Sequence, residues 1–579
     1  MISWRDRLTK ALPQIAVVVH DLLMVWVCWQ LLHAGRYSML RDAPDLPLWD
    51  WRTAVVLVVY PFALSAMLGT PRLLYRAWKD YQIAHSGDAG QRVLILGAGR
   101  AAEGLVRDLR RTGAFVPIGY LDDASNLHGA KIQGLNVLGN LDQAAAIAKE
   151  TAAKLLVIAI PSLDASGMQR VVAICESTGL PFRMVPKLIN VLEGRSLPGE
   201  LKEVAIEDLL NRKPVTPDWR LIRDWLTNKT VMVTGAGGSI GSEVCRQCAR
   251  HGARRIVLLE IDELALLTID SDLRRLFPDI EVVRVLGDCG DPAVVAHALN
   301  TATPDAVFHA AAYKQVPLLE EQLREAVRNN VLATENVARA CQRARIETFV
   351  FISTDKAVEP VNVLGASKRY AEMICQSLDA RDAPTRFITV RFGNVLDSAG
   401  SVVPLFREQI RQGGPVTVTH PDVTRYFMTI PEACQLVIQA AASASHGAIY
   451  TLDMGEPVPI RLLAEQMIRL AGKQPGKDVA ILYTGLRPGE KLHETLFYSD
   501  EDYRPTAHPK ILEAGVREFS HEQVLQLVTR LREAVNRYDI NAMETVLGSL
   551  MPDFAAARRK VDARSDTVVP FPAREVRRL

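Results

Sequence analysis

The sequence predicts an α/β protein: two tandem Rossmann-like, doubly wound domains behind an N-terminal transmembrane helical region, with a smaller C-terminal substrate-binding part. Three observations predict it. Short apolar runs end in glycine-rich turns at two places, Val93-Leu-Ile-Leu-Gly97-Ala-Gly99 and Val231-Met-Val-Thr-Gly235-Ala-Gly-Gly238. Beyond the second, more apolar runs end in polar groups at intervals that fit strand, helix and next strand. Ahead of the first, residues 15–32 are apolar over a length that covers a bilayer core.

The chain's 579 residues leave room for several domains, and 48% apolar content is ample for their cores. A net charge of +2 excludes a general nucleic-acid binder. Eight cysteines do not make a disulfide scaffold at this length, and Cys245-Arg-Gln-Cys248 has no second pair with which to hold a metal.

Residues 1–80 are expected to cross the membrane about twice. The run at 15–32 carries Asp21, which costs about 2.5–3.5 kcal/mol at a helix centre and so needs a partner or an interfacial place. The second run, 54–68, contains Pro61 and reaches spanning length only when extended to Tyr75. Arg5, Arg7 and Lys10 precede the first run, Arg72, Arg76 and Lys79 follow the second, and Arg36, Arg41 and Arg52 lie between. Positive charge therefore favours neither orientation.

Residues 85–190 read as the first Rossmann-like domain. Gly97, Gly99 and Ala102 fit a G-x-G-x-x-A turn, and Tyr120-Leu-Asp-Asp123 ends the next strand. No reactive polar cluster follows, so this domain is expected to be non-catalytic. Residues 191–228, with Pro198, Pro214 and Pro217, read as a linker. Residues 229–550 read as the catalytic domain, and 551–579, arginine-rich with little apolar periodicity, as a flexible basic tail.

In the catalytic domain Gly235, Gly238 and Gly241 would let backbone approach a pyrophosphate at the start of a helix carrying Ser239 and Ile240. Glu260 ends the next apolar run, where an acid binds the adenosine ribose and repels an added phosphate; Asp262 and Glu263 compete for that role. Asp288 ends a third run and is placed to hold the adenine amine. Ala310 and Ala311, after a fourth, are small enough to admit the cofactor. The most informative stretch is Phe351-Ile-Ser-Thr-Asp-Lys356. A buried strand there delivers a hydroxyl, an acid and an amine to the end of a sheet where α/β proteins bind ligands. Lys368 follows on a helix. Together these point to redox chemistry coupled to acid–base chemistry.

Six ordered segments carry a resemblance. They are Val233-Thr-Gly-Ala-Gly-Gly-Ser-Ile-Gly-Ser-Glu243, His309-Ala-Ala-Ala-Tyr-Lys-Gln-Val-Pro317, Ser353-Thr-Asp-Lys-Ala-Val-Glu-Pro360, Arg391-Phe-Gly-Asn-Val395, Thr424-Arg-Tyr-Phe-Met-Thr-Ile-Pro431 and Arg487-Pro-Gly-Glu-Lys-Leu-His-Glu494. The chain resembles the membrane-bound nucleotide-sugar 4,6-dehydratases of bacterial polysaccharide biosynthesis, in the extended short-chain dehydrogenase/reductase superfamily. Long members of that family have about four membrane helices; this chain has two candidate runs.

The resemblance implies NAD as cofactor, recycled within each turnover, and UDP-N-acetylglucosamine as substrate. It implies oxidation at carbon 4, loss of the carbon-5 proton and carbon-6 hydroxyl, and return of the hydride to carbon 6. Thr354, Asp355, Lys356 and Lys368 are the expected catalytic residues, Asp355 as general acid and Lys356 as base. An amine base must shed its proton, which burial and nearby positive charge favour. Lys368 is also expected to hold the nicotinamide ribose. Lys314, Asn394, Arg425, Arg487 and Glu490 are expected on the substrate, the two arginines at its diphosphate. One departure stands out: the superfamily's Tyr-x-x-x-Lys reads Leu364-Gly-Ala-Ser-Lys368, and Tyr370 lies on another helix face.

The expected partners are a UDP-sugar, the lipid bilayer and further copies of the chain, with no nucleic acid and no metal. Cytosolic NAD places both ends of the chain in the cytoplasm, at a bacterial inner membrane. Two other readings stay open: an epimerase or reductase on the same fold, which would not need the Asp355–Lys356 pair, and a catalytically silent NAD-binding scaffold, which Leu364 alone supports.

Overall fold

The computed structural model describes residues 91–112, 115–163, 165–185, 217–379, 384–444, 447–515 and 520–565. They fall into two units. The first is built on a six-stranded sheet of β1 (Gln91–Leu96), β2 (Phe115–Leu121), β3 (Lys131–Ile132), β4 (Leu135–Gly139), β5 (Leu155–Ile158) and β6 (Phe182–Met184), in the order β3-β4-β2-β1-β5-β6. Only the β3–β4 pair is antiparallel. Val93 to Leu96 are completely buried, which is why the run is apolar without alternation. Gly97 then turns at φ 99°, and a Cβ there would stand 2.4 Å from Ile160 Cγ1. The carboxylate of Asp122 accepts from the Ala98 N–H at 2.8 Å and the Ala124 N–H at 2.9 Å, tying the end of β2 to this turn. Helix α1 (Arg100–Thr112) follows.

The second unit holds a nine-stranded sheet. Its strands are β7 (Thr230–Thr234), β8 (Arg255–Glu260), β9 (Glu281–Leu286), β10 (Ala306–His309), β11 (Thr348–Ile352), β12 (Arg386–Arg391), β13 (Ile449–Leu452), β14 (Tyr503–Pro505) and β15 (Ile511–Ala514). The order is β14-β15-β13-β12-β11-β10-β7-β8-β9. The pairs from β9 to β13 are parallel; β15 and β14 add antiparallel at the edge. Strand order reverses between β7 and β10, the switch point where such sheets take ligands.

Each central strand feeds two cores. Met232, Val257, Val307, Phe349 and Phe387 enter one, with Val524 and Val528 of helix α4 (His521–Arg537). Val231, Val233, Ile256, Phe308, Val350 and Ile388 enter the other. Burial on both faces explains why the glycine-rich turn and the Ser353–Lys356 cluster end strands with few polar residues. Helices α2 (Ser239–Arg250), α3 (Val363–Leu378) and α5 (Ile540–Ser549) also belong to this unit.

Two boundaries differ from the sequence reading. The end of the expected linker is a helix, Trp219–Leu226, capped by Asp218, with Ile222 and Leu226 buried and Trp219 stacked on His251 at 4.4 Å. The expected tail begins as a helix, Pro552–Ser565. Phe554 is fully buried, and Arg558 pairs with Glu320 and Glu544, each at 2.7 Å. One aromatic anchor and two distant acids dock it, so apolar periodicity within the segment is low.

Among the described residues no helix is long and apolar enough to cross a membrane. The runs at 15–32 and 54–68, and so the expected transmembrane region, lie outside the described residues, as do 186–216 and 566–579.

Candidate active site

The glycine-rich turn sits at the switch point. Gly235 has φ 66°, and a Cβ on it would stand 2.8 Å from the Ala311 backbone. A Cβ on Gly241 would fall 2.0 Å from the Gly235 carbonyl oxygen. Turn, helix and the Ala310–Ala311 backbone therefore approach as closely as glycine and alanine permit. Gly238 is the N-cap of α2 and no side chain caps that helix, so its first N–H groups are left for an anion. Ile240 packs on the core, and the hydroxyl of Ser239 accepts from the Ala399 N–H at 3.2 Å. The cradle fits a dinucleotide pyrophosphate.

Glu260 is buried at the end of β8. Its Oε2 accepts from the Gly237 N–H at 2.8 Å; its Oε1 accepts from Ile261 and Asp262 at 2.9 and 3.1 Å. It thus fastens the turn to β8. The competing Asp262 caps the next helix through the Ala265 N–H. Asp288 accepts from the Gly290 N–H at 2.7 Å and pairs with Arg328 at 3.1 Å. His309, fully buried, bonds the hydroxyls of Thr234 and Thr334 at 2.7 and 2.9 Å; burial pulls its pKa down to about 3. A π-helical turn, Val327–Leu332, carries Asn330, which brackets the Tyr313 backbone in the loop after β10 and donates to Ser367 Oγ of α3 at 3.1 Å.

Strand β11 ends at Ile352, and the chain turns into a 3₁₀ segment, Asp355–Ala357, capped by Thr354. Thr354 Oγ1 donates to Asp355 Oδ1 at 2.9 Å. Lys356 Nζ donates to the same oxygen at 3.0 Å and to Asn394 Oδ1 at 3.3 Å, and lies 3.6 Å from Glu494 Oε1. The Asp355 side chain is completely buried, yet its Oδ2 has no hydrogen-bond partner among the described residues. Gly393 leaves room beside it: a Cβ there would stand 3.0 Å from Oδ2. Thr354, Asp355, Lys356 and Asn394 are thus brought together.

The charge state of Lys356 differs from expectation. Burial works to lower its pKa, but the Asp355 and Glu494 carboxylates outweigh burial and raise it; the Arg425 charge opposes them weakly. In this arrangement Lys356 is an ammonium. Lys368, on α3, behaves oppositely. It donates to the Ile352 carbonyl at 2.9 Å, lies 4.5 Å over the Phe351 ring, and burial brings it down to about 8. Leu364 is buried in the same helix. Tyr370 donates to the Val546 carbonyl at 2.6 Å, away from this cluster.

The expected substrate residues divide. Lys314 is exposed, but its amine donates to Ser398 Oγ at 3.3 Å and desolvation of that amine lowers its pKa. Arg487 is exposed, and its guanidinium bonds no other described residue. Arg425 is buried and engaged: it donates to the carbonyls of Thr424, Leu492 and Lys491 and to Glu490 Oε1. Glu490 in turn accepts from Thr419 Oγ1 and the Arg487 N–H. Arg425 and Glu490 therefore hold segment 487–494 in place rather than offering free groups. Glu494 was missed by sequence reasoning, although it closes the Arg487–Glu494 motif.

A glycine cradle at the switch point, with an acid, an amine and a hydroxyl at the neighbouring strand end, defines a Rossmann-type enzyme of the extended short-chain dehydrogenase/reductase kind. Residues 231–515 match the family model described as "Polysaccharide biosynthesis protein", and 5–186 match one described as "CoA-binding domain". The capsular polysaccharide biosynthesis protein CapD of Staphylococcus aureus is 42% identical over 469 residues, 80% of this chain and 78% of that protein. The chain belongs to this polysaccharide biosynthesis family. A UDP-glucose 4-epimerase of Rickettsia prowazekii is 33% identical over 280 residues, 47% of this chain and 79% of that one. A solved dTDP-glucose 4,6-dehydratase, DesIV of Streptomyces venezuelae with NAD and TYD bound, is 19% identical with a TM-score of 0.42, over 54% of this chain and 99% of that one.

Proposed function

We propose that the protein is a nucleotide-sugar 4,6-dehydratase of polysaccharide biosynthesis, acting on UDP-N-acetylglucosamine with NAD as cofactor. It is a nucleotide-sugar-modifying enzyme whose finer reaction is read from one observation: Asp355 and Lys356 share a hydrogen bond at a buried strand end, with a free carboxylate oxygen beside them. Hydride chemistry alone does not need such a pair; elimination needs both an acid and a base.

NAD, when bound, supplies reversible hydride acceptance from the sugar. The glycine turn, the open N-terminus of α2 and Lys368 would hold it. Lys356 removes the proton from carbon 5, and Asp355 protonates the departing carbon-6 hydroxyl. One proton moved from Nζ to Oδ1, across their 3.0 Å hydrogen bond, converts the observed ion pair into the acid and base the reaction requires. Excluding water favours that neutral pair, because both charges lose solvation together. Thr354, with its hydroxyl on Asp355, is placed to relay the carbon-4 hydroxyl proton in the absence of the usual tyrosine. Arg487 would bind the diphosphate and Lys314 the sugar.

Residues 217–565 form the catalytic part, including the helices that close it at either end, and 85–190 a non-catalytic Rossmann-like part. Two membrane passages within 1–80 anchor the chain as an oligomer, with catalysis on the cytoplasmic side. Full-length protein incubated with UDP-N-acetylglucosamine tests the reaction by mass spectrometry: loss of one water supports it. The similarity to the Rickettsia epimerase favours 4-epimerisation as the second reading, and an isomer of unchanged mass would support that instead.

A further inference from the structure

Glu494 lies in the site without an assigned role. Its Oε1 is 3.6 Å from Lys356 Nζ and 3.9 Å from Arg425 Nε. Its Oε2 is buried and has no hydrogen-bond partner among the described residues. A carboxylate oxygen buried without a donor is costly, so its place against an amine calls for more than packing. Asp355 repeats the pattern, with one oxygen on Lys356 and the other unpartnered. The amine therefore stands between two acids from different parts of the chain.

We propose that Glu494 is a positioning residue that sets the basicity of Lys356 and seats its ammonium once the carbon-5 proton has arrived. The proposal rests on the dehydratase reading. In the elimination the Lys356 amine takes the proton from carbon 5. The electrons of that C–H bond form the carbon 5–carbon 6 double bond. The C–O bond at carbon 6 breaks, and the hydroxyl leaves as water with the proton of Asp355. Lys356 ends as ammonium and Asp355 as carboxylate, and return of one proton from Nζ to Oδ1 restores both. Glu494 keeps its charge throughout, so its attraction for the ammonium draws the carbon-5 proton onto Lys356. The other charged groups facing Nζ are Asp355, on its own turn, and Arg425, which opposes both acids.

The test is the pH profile of solvent-deuterium exchange at carbon 5, measured with full-length protein and UDP-N-acetylglucosamine. Glu494→Gln keeps the shape and removes the charge. Its profile is expected to move to lower pH by about one unit or more, with KM changed less than about twofold. Glu494→Asp keeps the charge and is expected to restore most of the shift. A Glu494→Gln profile that coincides with wild type overturns the proposal, because a packing role alone leaves it in place. If wild-type protein neither exchanges carbon 5 nor loses water, the dehydratase reading fails by itself. The ¹⁵N signal of Lys356 Nζ, assigned by its absence in Lys356→Met, then decides: a lower titration midpoint in Glu494→Gln supports the proposal, and coincident midpoints overturn it.

Discussion

The Lys356 ammonium donates to Asp355 Oδ1 at 3.0 Å while the other oxygen of Asp355 is buried without a partner. One hydrogen bond thus stores a matched acid and base in their charged forms. Changing either residue is predicted to reduce water loss by at least about 100-fold, roughly 3 kcal/mol of transition-state stabilisation. KM should change far less. Lys356→Met should abolish deuterium exchange at carbon 5, whereas Asp355→Asn should retain some, since proton abstraction can precede hydroxyl departure. Near-normal turnover in Lys356→Met would place the base elsewhere.

Arg425 and Arg487 should separate by measurement. Arg487→Ala is predicted to raise KM with little change in thermal stability, because its guanidinium bonds no other described residue. Arg425→Ala should lower stability by about 2 kcal/mol or more, since three partly buried carbonyls and Glu490 lose their donor. Limited proteolysis should then cut within 487–494. Equal effects of the two variants on melting temperature would contradict the division.

Glu260→Ala is predicted to act twice. It leaves the partly buried Gly237 N–H without its acceptor, which should loosen the turn and weaken NAD binding. It also removes the charge that repels an added ribose phosphate, so discrimination against NADP should fall. Cofactor titration checks both; unchanged discrimination would assign that role to another residue.

Lys368 gives a pH signature. In the folded chain burial brings it down to about 8, whereas an unfolded chain keeps lysine protonated to about 10.4. Below the folded value both states hold the proton and stability does not depend on it. Between the two values the unfolded state binds more protons, so stability rises with pH by up to about 1.4 kcal/mol per unit. Wild type should therefore gain stability over Lys368→Met from about pH 8 upward. Parallel denaturation curves for the two proteins would contradict this.

Tyr370→Phe is the control for the missing tyrosine. It removes the buried bond to the Val546 carbonyl and should cost about 1–3 kcal/mol of stability while leaving hydride transfer intact. Loss of carbon-4 oxidation in a folded variant would return Tyr370 to the site.

The parts of this site that were legible in the sequence are those set by one strand and its turn. Residues 348–352 are apolar because β11 is buried on both faces, so Thr354, Asp355 and Lys356 could only emerge at its end. Gly235 and Gly241 are legible for the same reason, since close backbone contacts demand them. Contacts across long sequence separation were not legible. Nothing local to Glu494 shows that it meets Lys356, and nothing local to Arg425 shows that its guanidinium is filled by the carbonyls of 491–492. Lys356 was misjudged for that reason: its burial was readable, its two acid neighbours together were not. Helix Pro552–Ser565 was hidden likewise, its arginine being matched to Glu320 far upstream.

The most direct measurement is the mass of the product formed from UDP-N-acetylglucosamine by full-length protein in deuterated water. The predicted product has lost one water and carries solvent deuterium at carbon 5, with the carbon-4 hydrogen retained at carbon 6. An isomer that keeps its oxygen and takes up no deuterium would contradict elimination at Asp355 and Lys356.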